Sequence, residues 1–477
     1  MNGAAPPAPP HRVLEAEATS LCINDESKGG PFVVRIGNKS TTGMKATISV
    51  AMSNYIEAGS IIAIATSLSL WQKEFGIDDF AVGLLAALSA NAFGAAAGAL
   101  IGGPLCDKYG RKFIYTYDLI VYMIGVALAV FAMSYGMLLL AFIITGIAVG
   151  AGVPASWTYL SEQAPAGQRA KHVGAAQLAW SCGPLIGFLL AVAVEPLGLL
   201  GSRLIFAELF VVAFITWYMR QGLPETAIWK ESNAKATSTN VFHGVKALFS
   251  KKANITAIFF LIGVYSFWNI VAGQAGIFMP RVYAAAGVES ATEQYLLQAL
   301  VWGLTVATTY FGFMRLADRF NRRILYIVGS LLGIAAWAVL VFAEPTMPAL
   351  LSFAVLWGVA AGIGAQAFYG LWASELFATE YRASAQGILF FVARIMVGLL
   401  SMVFPILLTS IGLSWLGLIL IGFLAVSLVV GAVWAPHTQG KSLQQIEAER
   451  YPEDVVAEES VVEASVVGEP VAMNMHF

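Results

Sequence analysis

Apolar residues run through this chain in long blocks separated by short polar turns, and block length decides the elements. The blocks fall at 47–70, 80–105, 113–135, 137–161, 173–194 and 204–219, then again at 254–285, 293–317, 324–343, 349–374, 384–411 and 415–434. At a 1.5 Å rise per residue, about 20 residues of helix cross the hydrocarbon of a bilayer. The pattern therefore predicts an all-α membrane protein of about 12 transmembrane helices in two six-helix halves, 45–219 and 254–435. Residues 220–253 join them as a polar, basic linker holding Lys230, Lys235, Lys246, Lys251 and Lys252, in which Val241 to Phe249 is suited to a short interfacial helix. Residues 1–44 lack helical periodicity and the apolar core of a signal peptide, so they read as a disordered tail. Residues 436–477, acidic beyond Tyr451, read as a second tail.

Composition agrees with the membrane reading. Of 477 residues, 58% are hydrophobic and 12% charged, and the mean hydropathy is +0.73, outside the range of soluble domains. Lys and Arg gather in alternate turns: Lys108/Arg111/Lys112, Arg169/Lys171, the linker, Arg319/Arg322/Arg323 and Arg382. The intervening turns hold little beyond Lys73, Arg203 and Arg281. By the positive-inside rule both termini are cytoplasmic, in a multi-pass protein of the cell membrane. The basic residues form no single patch, which excludes a nucleic-acid partner. Cys22, Cys106 and Cys182 have no metal or redox spacing and read as free thiols, and none of the five histidines lies deep in an apolar block. No nucleophile–base pair, metal cluster or phosphate loop is present, so neither an enzyme, a cofactor nor ATP drive is expected.

Charged turns recur at a fixed interval. Asp107 and Asp318, Glu162 and Glu375, Arg169 and Arg382, and Pro224 and Pro436 are each 211 to 213 residues apart, as duplication of a six-helix unit would leave them. The segments Asp107-Lys-Tyr-Gly-Arg-Lys112, Tyr159-Leu-Ser-Glu162 through Arg169, Pro224-Glu-Thr226, Asp318-Arg-Phe-Asn-Arg-Arg323, Ser374-Glu-Leu-Phe-Ala-Thr-Glu-Tyr-Arg382 and Pro436-His-Thr-Gln-Gly-Lys-Ser-Leu443 stand in order at helix ends. Over residues 45 to 450 this set resembles the major facilitator superfamily and, within it, the sugar porters. The resemblance implies a cytoplasmic gate of Asp107, Arg111, Glu162 and Arg169 with Asp318, Arg323, Glu375 and Arg382, intact facing outward and broken facing inward. Exposed pairs contribute about 0 to 1 kcal/mol each, so only the set could bias such an equilibrium. The plainer alternative is that these residues anchor helix ends.

The resemblance also implies a central cavity lined by helices 1, 4, 7 and 10 with help from 5 and 11. Glu57 lies about mid-membrane in helix 1, where a carboxylate is costly unless protonated or paired, and it matches the acid of proton-coupled sugar porters. Arg394 in helix 11 is the other deep charge and needs a partner: Glu57, an anionic substrate, or a structural acceptor. Asp118 is expected to pair with Arg111 or Lys112. Gln177 and Trp180 on helix 5, Trp268, Asn269 and Gln274 on helix 7, and Gln366 and Tyr369 on helix 10 are candidate substrate contacts, with core packing the competing role of each aromatic.

Three positions depart from the sugar porters: Phe267-Trp268 replaces paired glutamines, Gln366-Ala367 replaces Gly-Pro, and Phe142 replaces an arginine. Helix 1's Tyr55-Ile-Glu-Ala-Gly-Ser-Ile-Ile62 and the Ile101 to Asp107 turn are instead similar to bacterial inositol-type carriers. The expectation is a proton-coupled importer of a sugar or cyclic polyol acting as a monomer. The alternatives are a carboxylate carrier using Arg394, an uncoupled facilitator, and a non-transporting nutrient sensor.

Overall fold

The computed structural model describes residues 44–165, 168–235 and 243–452. Both expected tails, apart from Met44 and 436–452, lie outside the described residues, as does part of the linker. Helix 1 is Met44–Phe75, helix 3 Arg111–Val130, helix 4 Tyr135–Gln163, helix 5 Arg169–Val194 and helix 6 Leu199–Arg220. Helix 2 comes in two pieces, Asp79–Ala87 and Phe93–Tyr109. In the second set, helix 7 runs from Lys252 to Ala285 through a π-turn at Ile262–Ser266 and a break at Phe278. Helix 8 is Ala291–Thr308, continuing by a π-turn to Leu316; helix 9 is Arg322–Phe342 and helix 12 Gly412–Trp434. Helix 10 is Met347–Ile363 and Ala365–Glu375, broken at Gly364, and helix 11 is Arg382–Ser410. Eleven of these columns are long and apolar enough to cross a membrane. Helix 2 is interrupted, and its longer piece, Phe93–Tyr109, has 17 residues.

Turn chemistry explains the ends. Gly110 takes φ +94° between helices 2 and 3, a conformation that L side chains rarely adopt. Ser134 and Ser290 accept from the backbone N–H three residues on, and Ser442 and Gln445 close a capping box on the last helix. The linker segment expected to be helical forms His243–Ser250, and it buries Leu248 while Gly244 rests against Tyr381.

Packing repeats between the two sets. Helices 2 and 4 pair as helices 8 and 10 do, helices 3 and 6 as 9 and 12, and the sets meet through helices 2 and 11 and through helices 5 and 8. Helix 2 meets helix 4 along small residues. A Cβ on Gly98 would collide with the Ile147 carbonyl, one on Gly150 with the Ala95 carbonyl, and one on Gly94 would stand 3.0 Å from Gly146 Cα. Without a hydrophobic force between helices in lipid, such close backbone approach supplies the association. Gly150→Val is therefore expected to lower the melting temperature in detergent sharply, since overpacking costs about 1–3 kcal/mol even where neighbours can yield, and backbone cannot. Gly422→Val, facing open space, should leave it unchanged. Equal melting of the two variants would refute this account of the interface.

Candidate functional site

At the centre of the helix bundle Glu57 is fully buried and forms an ion pair with Arg394 across the interface between the two sets. Trp180 Nε1 donates to the other carboxylate oxygen at 3.1 Å. Arg394 Nη1 donates to the Asn91 carbonyl at 3.0 Å, and the guanidinium lies over the Phe390 ring, 4.4 Å from its centroid. Beside this pair is a void of roughly one water's size, lined among others by Asn91, Trp180, Asn269, Gln366 and Arg394. Asn269 Nδ2 and Arg394 Nε are buried with no hydrogen-bond partner there. Amide, indole and guanidinium donors thus converge on one small space.

The other candidates fall nearby. Trp268 stacks near Tyr265 and Trp357, while Tyr369 lies flat on Tyr265 with ring centroids 3.8 Å apart and meets Trp157 edge-on. The hydroxyls of Tyr265 and Tyr369 are both buried without a partner. Gln274 is held by helix 11, donating to the Val397 carbonyl at 3.1 Å and accepting from Ser401 at 3.2 Å, which turns it from the void. Gln177 is buried one turn along helix 5 from Trp180 and lies outside the void's lining. Phe142 sits in an aromatic cluster with Trp71 and Phe206, so the slot that holds arginine in sugar porters is apolar here.

The basic face is held by buried charges in a repeated pattern. Arg111 grips Glu162 with two hydrogen bonds, 2.6 and 3.2 Å, and Arg382 reaches the same carboxylate from the other set at 3.1 Å. In the mirror arrangement Arg322 binds Glu375 at 3.0 and 3.2 Å while Arg169 crosses to it at 2.7 Å. Asp107 accepts the first backbone N–H groups of helix 11, from Ala383 at 3.1 Å and Ser384 at 2.7 Å. Asp318 does the same for helix 5, at 3.3 Å from both Ala170 and Lys171. Thr226 and Thr438 complete the two knots.

Three expectations are corrected here. The second-set arginine is Arg322 and not Arg323, whose exposed guanidinium donates to the Val433 carbonyl at 3.2 Å. The repeat requires this, because Arg111 and Arg322 each stand four residues, one helical turn, beyond their aspartate. Asp118 pairs with Arg220 at 3.5 Å instead of with Arg111 or Lys112. Two helical turns, about 10 Å, separate it from Arg111, whose side chain is already engaged by Glu162. Arg220 arrives from the end of helix 6, donating also to the Ser49 and Val50 carbonyls at 2.8 and 3.0 Å and to Ser53 at 2.7 Å. Nor are the gate pairs exposed: the Arg111, Glu162, Glu375 and Arg382 side chains are at most 1% accessible, so their energetics are those of buried ions.

Sequence reasoning passed over Asn91, whose polarity is lost among alanines, and Glu208 of helix 6, to which Tyr55 donates at 2.8 Å. On the opposite face Arg281 of helix 7 pairs with Asp79 at 3.4 Å and donates to Gln72, while Tyr295 of helix 8 donates to the Thr66 carbonyl at 3.1 Å. The two sets are therefore bridged on both faces around a small central void, which is an occluded arrangement. Among the described residues no His/Cys/Asp/Glu cluster could hold a metal ion.

This architecture has known counterparts, and the family model described as "Sugar (and other) transporter" matches residues 46–449. The chain belongs to that family. It is a multi-pass transporter of the cell membrane with the major facilitator fold, and not an enzyme. The minor myo-inositol transporter IolF of Bacillus subtilis is 42% identical over 417 residues, 85% of this chain and 94% of that protein. The cis,cis-muconate transport protein of Acinetobacter baylyi is 24% identical, over 71% of this chain and 81% of its own length. Among solved structures, the proton:xylose symporter XylE, of E. coli, superposes with a TM-score of 0.71 at 18% identity, covering 85% of this chain and 98% of the symporter. That likeness concerns the fold alone.

Proposed function

We propose that the protein imports a cyclic polyol, with myo-inositol the first candidate, by proton symport through alternating access. Glu57 is the proton-carrying group, and the ligand is received between helices 5, 7, 10 and 11 by Gln177, Trp180, Asn269, Gln366 and Arg394, with Trp268, Tyr369 and Gln274 shaping the walls. The basic face is cytoplasmic on this reading, as are both termini, and its two knots form the inner gate of six-helix halves 45–219 and 254–435. The observation that carries the neutral-ligand reading is that Arg394 already has a carboxylate partner of its own chain, so with Glu57 ionised the pair bears no net charge. The inositol carrier's identity over nearly its whole length supports the polyol class. The buried donors left unpartnered, the Asn269 amide and the Tyr265 and Tyr369 hydroxyls, suit a ligand rich in hydroxyl oxygens.

A carboxylate cargo is the competing reading, since protonation of Glu57 would release Arg394 and one relative is named for cis,cis-muconate. Arg394→Gln decides between them. In proteoliposomes, binding of labelled myo-inositol should survive this substitution within about tenfold, the loss of one or two hydrogen bonds, although cycling slows. Wild-type uptake of cis,cis-muconate or another small carboxylate, with binding abolished by Arg394→Gln, would overturn the polyol reading. Wild-type uptake indifferent to a pH gradient would make the protein a facilitator.

A further inference from the structure

Among the described residues, helix 2 is the one transmembrane column whose first piece is cut off by several non-helical residues, at 88–92, and the cut lies against the central pair. Ser89 turns its hydroxyl onto the Ala86 carbonyl at 2.7 Å and accepts from the Asn91 N–H at 3.0 Å, so local side-chain bonds replace the helical ladder. Bare backbone at this depth is tolerated only inside protein, and Ser89, Ala90, Asn91 and Ala92 are all fully buried. The repeat does not demand the cut. Trp302, 211 residues beyond Asn91, lies within continuous helix.

The break leaves Asn91 facing three ways. Its carbonyl accepts from Arg394 Nη1 at 3.0 Å, its Oδ1 lies 3.5 Å from the same nitrogen, and its Nδ2 donates to the Gly273 carbonyl of helix 7 at 3.3 Å. We propose that the Asn91 side chain is a positioning group that, added to the backbone carbonyl of the same residue, holds the Arg394 guanidinium when Glu57 is neutral, so that the carboxyl can take up and release its proton without leaving a buried arginine unpaired. This rests on the reading of Glu57 as the proton carrier. Arg394 needs such a second acceptor because, besides Glu57 and Asn91, it has the Phe390 face, an unpartnered Nε, and the Asn269 and Gln366 amides that line the same void without accepting from it. The side-chain bond to Gly273 ties the acceptor to the second set, where Arg394 itself resides.

The test is a double-mutant cycle on the full-length protein in detergent, with melting temperature as a readout that needs no transport. Asn91→Leu should have a small effect while Glu57 is present, and in the Glu57→Gln background it should lower the melting temperature by at least about 3 °C more than the two single shifts combined. Asn91→Leu leaves the backbone carbonyl in place, so additive shifts would mean that the carbonyl alone suffices and would overturn the role of the side chain. A second variant guards against misfolding of the double mutant: Glu57→Gln/Asn91→Asp places a carboxylate against Arg394 and should restore part of the accumulation of labelled myo-inositol driven by an acid-outside gradient. If it restores none while wild type accumulates the label, Asn91 does not face the working position of Arg394. If wild type shows no such drive, the coupling reading fails by itself, and the cycle still decides whether Asn91 holds the arginine.

Discussion

Glu57→Gln is expected to abolish accumulation driven by a pH gradient and to spare exchange of labelled substrate across equal concentrations. The glutamine keeps the size of the carboxyl group and fixes it in a neutral form, so the binding geometry survives while the proton site is lost. With one proton carried per substrate, one pH unit, equal to 1.36 kcal/mol, sustains about tenfold accumulation. The variant should reach equal concentrations inside and out whatever the gradient. The sign follows from the chemistry. Acid on the side from which Glu57 is loaded favours the neutral carboxyl and release of Arg394, so wild-type uptake rises as that side is acidified and the variant's does not respond. Trp180, which donates to the same carboxylate at 3.1 Å, should keep its bond to the amide oxygen. Accumulation by the Gln variant against its gradient would remove Glu57 from the coupling step.

The pairing on which that prediction rests was only partly legible before the structure. Glu57 and Arg394 stand out because each interrupts an apolar block long enough to span a membrane, and a deep charge requires a partner. The blocks themselves are legible for the same reason, since every helix must satisfy its backbone internally and therefore runs long and apolar. What the pattern hides is a break with no charge or proline in it. Ser89 and Asn91 sit among alanines, and only tertiary burial shows that the helix stops there. The Asp118–Arg220 pair is not legible in the sequence, because it joins helices 3 and 6 from positions 102 apart. Arg322 was lost to a register slip of one residue in a degenerate motif. Counting four residues from Asp318, as from Asp107 to Arg111, recovers it.

The largest conformational effect is expected at the basic face, from Glu162→Gln combined with Glu375→Gln. Each of these carboxylates compensates two buried guanidiniums, one from its own set and one from the other: Arg111 and Arg382 at Glu162, Arg322 and Arg169 at Glu375. Their neutral substitutes leave each pair of like charges facing one another out of water, and removal of one partner from a buried ion pair costs about 3–5 kcal/mol. Most of that penalty disappears if the face opens and the arginines are hydrated. A two-state carrier should therefore shift toward the state open on this side, whereas Arg323→Ala, at a side chain outside both knots, should leave the balance unchanged. Cys106 supplies a native reporter, being fully buried at the end of helix 2 beside Arg111, which donates to its carbonyl at 3.4 Å. In a Cys22→Ser/Cys182→Ser background, labelling of Cys106 by an impermeant maleimide should accelerate more than about tenfold, since 3–5 kcal/mol exceeds the 1.4 kcal/mol that one decade requires. Inside-out vesicles should show the acceleration and right-side-out vesicles should not, which also tests the cytoplasmic assignment of the face. Unchanged labelling in both preparations, with transport intact, would reduce the two knots to anchors of helix ends.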